Sequence, residues 1–257
     1  MLRENYLIKK LKSGKPVIGT WSVIPSVIVS DIISSTGIDF LIIDSEHGPL
    51  DFTQAQNQAI ACESRNVSPI MRVSGVNESE ILKALDIGMH GIQIPNVEQV
   101  NDLELIIDYA KYPPIGKRGF SPFTRAGNYS INNSKSLTSI ANENTLIGIN
   151  IEGEGGINNI DEFLKIEYLD IIFVGLFDLS KVLGIPGEVD NPKVQDLLKD
   201  VTKKILDAGK YPGTIATSKE KMNLYLSFGI KYLVYLVDCE MLRSTYADTV
   251  LEFNQIK

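Results

Sequence analysis

The sequence predicts a parallel (β/α)8 barrel, and three observations carry that prediction. Short apolar, β-branched runs alternate with helix-like segments from residue 17 onward, the pattern that parallel α/β architecture leaves in a chain. Eight such runs fit within 257 residues, close to the ~250 residues typical of an eightfold barrel. No G-x-G-x-x-G and no G-x-x-x-x-G-K-[ST] is present, so a doubly wound nucleotide-binding sheet lacks its fingerprint. With no linker, low-complexity tract or internal repeat, residues 1–257 read as one domain.

The elements follow in order. The start, Met1-Leu2-Arg3-Glu4-Asn5-Tyr6-Leu7-Ile8-Lys9-Lys10, has neither a continuous hydrophobic core nor a small-residue cleavage site; it reads as a short amphipathic helix rather than a secretory signal. Val17-Ile18-Gly19-Thr20-Trp21 is the first strand, and a helical pattern covers 26–35. Thr36-Gly37-Ile38-Asp39 supplies a C-cap glycine and leads into the apolar strand 40–44. A helix over 54–64 precedes the strand 68–73, a helix over 78–85 the strand 91–94, and a helix over 97–110 follows. Residues 112–133, rich in Pro, Gly, Ser and Asn, form the longest irregular segment, and a loop of that size in a compact barrel is more often functional than idle. Strands at 146–151 and 171–174 come next, then a helix over 192–208, a strand at 212–215 and a helix over 219–228. Ser227-Phe228-Gly229-Ile230 repeats the C-cap device before the last strand, 232–237, and a helix over 239–253 closes the chain.

Composition removes several function classes. The formal net charge is −7, and no run of Lys and Arg exceeds a pair, which argues against a nucleic-acid groove. Uncharged stretches such as 171–177 fall well short of the ~20 apolar residues that cross a bilayer. Cys62 and Cys239 are the two cysteines, too few and too far apart for a disulfide framework or zinc ribbon, so they are expected to be reduced packing residues of a cytoplasmic protein. With His47 and His90 as the two histidines, a three-histidine zinc site is impossible.

Barrel enzymes place reactive groups at the C-terminal ends of strands, which makes the candidates a short set. Trp21 ends the first strand, Asp44-Ser45-Glu46-His47-Gly48-Pro49 follows the second, and Arg72 ends the third. Asn150-Ile151-Glu152 ends the fifth, and Gly175-Leu176-Phe177-Asp178-Leu179-Ser180 follows the sixth. Glu152 and Asp178, from adjacent strands, can share a mouth as oxygen ligands for Mg²⁺, Mn²⁺ or Co²⁺; the competing reading of either is a helix N-cap or dipole contact. His47, beside acidic neighbours, suits a general base, against the even prospect of a merely solvated imidazole. Asp86 either orients that imidazole or simply makes a turn. Arg72 is costly to bury without an anion and suits an enolate or carboxylate, or a structural pair with Asp44 or Glu46. The turn at 175–180 offers backbone N–H groups to a substrate carboxylate. No predicted strand contains Lys, so a Schiff-base aldolase is disfavoured and carbonyl activation falls to a metal. His90, at the start of a strand, is expected on the stability face.

Five separated motifs then match one family in order: Gly37-Ile38-Asp39-Phe40 through Asp44-Ser45-Glu46-His47-Gly48; Leu85-Asp86-Ile87-Gly88 with 91–95; Tyr112-Pro113-Pro114-Ile115-Gly116-Lys117-Arg118-Gly119; Ile151-Glu152; and 175–180 with Gly184. The chain resembles the HpcH/HpaI family of metal-dependent pyruvate aldolases over about 15–192, and more weakly beyond. The resemblance implies a (β/α)8 barrel in which His47 is the base, Asp86 supports it, Arg72 stabilises the transition state, and Glu152 and Asp178 bind the divalent metal. It implies that pyruvate chelates that metal with backbone help near Phe177 and Asp178, with Trp21, Asn150 and Gly175 lining the substrate site. It further implies a homohexamer that exchanges a C-terminal helix, here 239–253, between subunits.

Two departures stand out. Many members carry Gln where this chain has Asn150, whose shorter amide is expected to reach pyruvate only through water. The usual Gly-Pro-small-Asp-Leu-Ser reads here Gly175-Leu176-Phe177-Asp178-Leu179-Ser180, so the Phe177 ring narrows the pocket. Gly153-Glu154-Gly155-Gly156 is expected to add flexibility, and 119–133 with a neighbouring subunit to set aldehyde choice. The activity expected is cleavage of a 4-hydroxy-2-oxo acid to pyruvate and an aldehyde through a metal-stabilised enolate. The alternatives are a decarboxylase or CoA-acid lyase using the same enolate, and a barrel that binds a 2-oxo acid without turnover.

Overall fold

The computed structural model describes residues 4–256, so the first three residues of the predicted N-terminal helix lie outside the described residues. The chain runs α1 (Tyr6–Lys12), β1 (Val17–Ser22), α2 (Val27–Ser34), β2 (Phe40–Asp44), α3 (Phe52–Ser64), β3 (Ser68–Arg72), α4 (Glu78–Asp86), β4 (Gly91–Ile94), α5 (Val100–Ala110), a 3-10 turn (Ile131–Asn133) and α6 (Ser134–Asn144). It continues through β5 (Leu146–Ile151), α7 (Glu154–Asn158), α8 (Ile160–Phe163), β6 (Ile171–Val174), α9 (Leu176–Val182), α10 (Pro192–Asp207), β7 (Tyr211–Ala216), α11 (Lys219–Phe228), β8 (Tyr232–Val237) and α12 (Asp238–Gln255). All neighbouring strands pair in parallel, and β8 closes on β1. Every strand anticipated from sequence is present, to within one residue at either end.

Local chemistry explains the boundaries. Asp51 and Gln54 form a reciprocal capping box at α3, satisfying two N–H groups that the helix cannot. Pro192 opens α10 behind the Asn191 cap, where its missing N–H costs nothing. The predicted 97–110 helix starts three residues late, because Val97 N–H is held by Asn150 O at 3.2 Å and the chain stays extended to Gln99. The polar helix α6 is announced by no strong pattern, burying only Leu137 and Ala141.

Strand alternation divides the core into two layers. Phe40 and Ile42 join Trp21, Ile70, Phe173, Tyr232 and Val234 inside the barrel, whereas Leu41 and Ile43 face the helices. Because all strands run the same way, their C-terminal ends make one rim, while the C-terminal ends of the helices make the other. No described helix is long and apolar enough to cross a membrane.

Candidate active site

The rim at the strand C-termini gathers Trp21, His47, Arg72, Asn150, Glu152, Gly175, Phe177 and Asp178 around one cavity of about 290 Å³. An adjoining space of about 580 Å³ adds Glu46, Asn96, Glu98 and Lys181. Of the side chains selected from sequence, Asp86 alone is missing.

Arg72, only 8% exposed, is fixed on three sides. Its Nε and Nη2 donate to the two oxygens of Asp44 at 2.8 and 2.5 Å, and Nη1 lies 3.0 Å from Glu46 Oε2. Beneath the guanidinium lies the Trp21 ring, 4.1 Å away, a cation–π contact. Such a bidentate grip offsets the desolvation of a buried guanidinium. Asp44 also accepts from the backbone N–H of Glu46 and His47 at 3.1 and 3.3 Å, so one carboxylate shapes the turn that carries His47. The imidazole itself is 69% exposed, with Nε2 3.9 Å from Glu46 Oε2. Arg72 is ion-paired, as its structural reading expects, and it also lines the cavity.

Glu152 is held from β5 and from the loop that follows β4. Its Oε1 accepts from Asn150 Nδ2 at 2.9 Å and its Oε2 from Asn96 N–H at 3.1 Å. Asn96 aims that N–H from a left-handed φ of 48°, which asparagine tolerates. Burial pushes the Glu152 carboxyl up from its ordinary pKa, with the negative charges of Asp178 and Glu46 adding to the rise and the Asn150 hydrogen bond opposing it.

The donor set fits a divalent cation. A Cβ at Gly175 would stand 3.0 Å from Glu152 Cγ and 3.6 Å from Asp178 Oδ2, so the glycine keeps clear the ground between the two carboxylates. Among the described residues no cluster of three or more His, Cys, Asp or Glu side chains forms a closed metal cage. Two carboxylates with open positions are the arrangement by which Mg²⁺-type ions retain water or substrate oxygens.

Three expectations change. Asp86 does not reach His47 within this chain: α4 ends on the opposite rim, and the Asp86 carboxylate accepts from Arg118 Nη2 at 2.7 Å. The long 112–133 segment lies on that rim too, since it leaves the C-terminus of α5; Arg118 is tied to Asp86 and Arg125 to Glu63, so within one chain it takes no part in the mouth. Gly153-Glu154-Gly155-Gly156 is not a loose loop but opens α7, where a Cβ on Gly156 would meet the Val97 carbonyl at 3.0 Å. Asn150 lines the cavity, its amide buried and spanning Glu152 and Gln93. His90 is, as expected, buried on the stability face, its ring 3.1 Å from both Ser68 Oγ and Glu63 Oε1.

Sequence reasoning left the anchor of Arg72 open between Asp44 and Glu46, and missed Gln93 beneath Asn150 and Asn96 on Glu152. The signal for Gln93 was present, as a long polar side chain inside the short strand Gly91-Ile92-Gln93-Ile94, where burial demands a partner.

The fold and this mouth define a (β/α)8 enzyme. The chain belongs to the HpcH/HpaI aldolase/citrate lyase family, whose model matches residues 18–228, and it is a carbon–carbon lyase. It is 30% identical over 259 residues to the hydroxypyruvate/pyruvate aldolase of Roseobacter denitrificans, covering 98% of each chain. An HpcH/HpaI aldolase from Desulfitobacterium hafniense superposes with TM-score 0.91 at 27% identity over 96% of each chain. The citrate synthase SbnG superposes with TM-score 0.88 at 26% identity over 98% of each chain.

Proposed function

We propose that this chain is a divalent-cation-dependent aldolase that cleaves or forms 4-hydroxy-2-oxo acids, giving pyruvate and an aldehyde. The observation that carries the reading is the Glu152–Asp178 pair opening beside Arg72 in one cavity. Glu152 and Asp178 are the residues that would hold Mg²⁺, Mn²⁺ or Co²⁺, which when bound supplies Lewis-acid polarisation of the 2-oxo group.

The protein's own groups do the rest. Arg72 has five N–H donors, of which two are engaged by Asp44 while Nη1 lies in ion-pair range of Glu46; donors left over meet negative charge developing on the substrate oxygen, in a geometry set before reaction. His47, at the open edge of the cavity, takes the 4-hydroxyl proton through water in cleavage and returns it in synthesis. The first-turn N–H groups of α9, which have no intrahelical carbonyl, donate to the substrate carboxylate near Phe177 and Asp178. Trp21 walls the pocket, Gly175 leaves room for ligand, and Phe177, 53% exposed, limits the aldehyde side. Pyruvate incubated with the protein and Mn²⁺ in D₂O should exchange its methyl protons, and should not with EDTA present; absence of exchange under both conditions would sink the proposal.

A second reading, condensation or cleavage of CoA-linked or oxaloacetate-like acids, is favoured by the likeness to citrate synthase SbnG. Exchange with pyruvate but no condensation with any of a panel of aldehydes would favour it.

We also propose a homo-oligomer, a hexamer, assembled through α12. That helix buries only Asp238 and exposes Leu242, Tyr246, Val250, Leu251 and Phe253, beside an apolar groove of about 500 Å³ that includes Ile32, Ile33, Met241 and Leu242. Light scattering on Leu251→Glu should show smaller particles than the wild type. A cytoplasmic setting accords with two free thiols, Cys62 being buried, its thiol pushed up to about 12 by desolvation.

A further inference from the structure

A line of hydrogen bonds crosses the barrel interior and ends on Glu152. Tyr232 Oη donates to Gln93 Oε1 at 3.3 Å, Gln93 Nε2 donates to Asn150 Oδ1 at 2.6 Å, and Asn150 Nδ2 donates to Glu152 Oε1 at 2.9 Å. Tyr232, Gln93 and Asn150 are each at most 1% exposed, so the two inner bonds are shut off from water and only the Glu152 end meets the cavity. Tyr232 is itself pinned by stacking on Phe40, with ring centroids 4.1 Å apart.

Register explains how the line is built. Gln93 on β4 pairs with Gly148 on β5, and Asn150, two residues along β5, faces the same side of the sheet. Since Gly148 has no side chain, the long Gln93 amide can reach past it to Asn150. The order of donors is fixed from the Glu152 end, where reversing the amides would set the Asn150 carbonyl against a carboxylate, lone pair to lone pair. The Tyr232 phenol, able to donate or accept, then gives its proton to Gln93 Oε1.

From this geometry we infer that Gln93 is a positioning residue: it holds the Asn150 amide with its NH₂ toward Glu152, and so aims the Glu152 carboxylate at the ground it shares with Asp178. Gln93 supplies from β4 the reach that the short Asn150 side chain lacks on β5. The inference rests on the reading that Glu152 and Asp178 hold a divalent cation. Partners that orient a metal ligand change affinity by about 10–100-fold when removed.

The test is Mn²⁺ binding to the metal-free full-length protein, followed by the free-ion EPR signal, with circular dichroism and Tm measured alongside. Gln93→Met keeps length and loses both amide bonds; Gln93→Asn keeps an amide that is too short to span, and guards against a misfolded Met variant. Either folded variant should bind Mn²⁺ about tenfold more weakly than wild type. A folded variant that binds within twofold of wild type, even with a lowered Tm, overturns the inference and leaves Gln93 a packing residue. Glu152→Gln separates the two levels: if it binds Mn²⁺ as wild type does, or wild type binds none, the metal-site reading itself has failed and the inference falls with it.

Discussion

Asp44 holds Arg72 by both carboxylate oxygens, at 2.8 Å to Nε and 2.5 Å to Nη2, and the same carboxylate carries the turn to His47. The base and the guanidinium of the proposed reaction are therefore placed by one buried anion, 1% exposed. Asp44→Asn leaves a buried guanidinium short of its counter-charge, and breaking such a pair costs about 3–5 kcal/mol. Urea unfolding should register that loss, and turnover at a temperature where the variant is folded should fall at least ~100-fold, the scale of losing one oxyanion donor.

Arg72→Lys tests the fork rather than the charge. Lysine keeps a cation near Asp44 and Glu46 but has no planar pair of donors. The expected result is a native circular dichroism spectrum with methyl exchange of pyruvate lowered ~100-fold or more. Near wild-type exchange would show that a point charge suffices.

Asp178→Asn should divide metal-free from metal-loaded behaviour. Without a cation, Glu152 and Asp178 repel each other, so the variant should melt at or above the wild-type Tm. With saturating Mn²⁺ the order should reverse, because a ligand that binds only the folded state raises its stability by RT ln(1 + [L]/Kd). Thermal melts with and without Mn²⁺ check both halves.

At Gly175, the space itself can be probed. Gly175→Ala brings a methyl to 3.0 Å from Glu152 Cγ, pushing that side chain off its seat. Mn²⁺ affinity should drop while secondary structure persists, as isothermal titration and circular dichroism would report. Phe177→Ala is its complement on the outer side: the ring is exposed, so the fold should be untouched and bulky aldehydes should gain rate relative to small ones.

Far from the mouth, Lys111 gives a pH signature. Burial lowers its ammonium pKa from 10.5 to about 8, and Nζ donates to Asn142 O and Thr145 O at 2.8 and 2.7 Å, bonds that the two hydrogens of a neutral amine can still make. Below pH 8 the amine is charged in both folded and unfolded chains, and the cost of burying that charge is fully present. Between pH 8 and 9.5 the folded chain sheds the Lys111 proton first, so this group's contribution to stability rises with pH, by up to ~1.4 kcal/mol per unit. The Cys62 thiol, pushed up to about 12 by burial, keeps its proton in the folded chain while the unfolded thiol ionises, and so opposes the rise from about pH 8.5; Tyr232, raised well above 10 by burial, opposes it at higher pH. Denaturation across that window should show stability rising more, or falling less, in wild type than in Lys111→Met.

The sequence by itself determined the barrel, because strand periodicity, helix stripes and glycine caps are local signals repeated eight times with one meaning. It also determined the carboxylates, the histidine and the guanidinium of the mouth, since in a parallel barrel the residue ending a strand must stand on that rim. Only the tertiary structure decided who partners whom. Asp86 and the 112–133 segment belong to the rim opposite His47 because α4 and α5 run antiparallel to the strands, the same rule of direction that placed His90 on that face from sequence. Asp44 on Arg72, and Gln93 beneath Asn150, are contacts across strands 28 and 57 residues apart in the chain. Such pairings depend on strand register and on which empty glycine position a long side chain can pass, and both exist only once the sheet has closed.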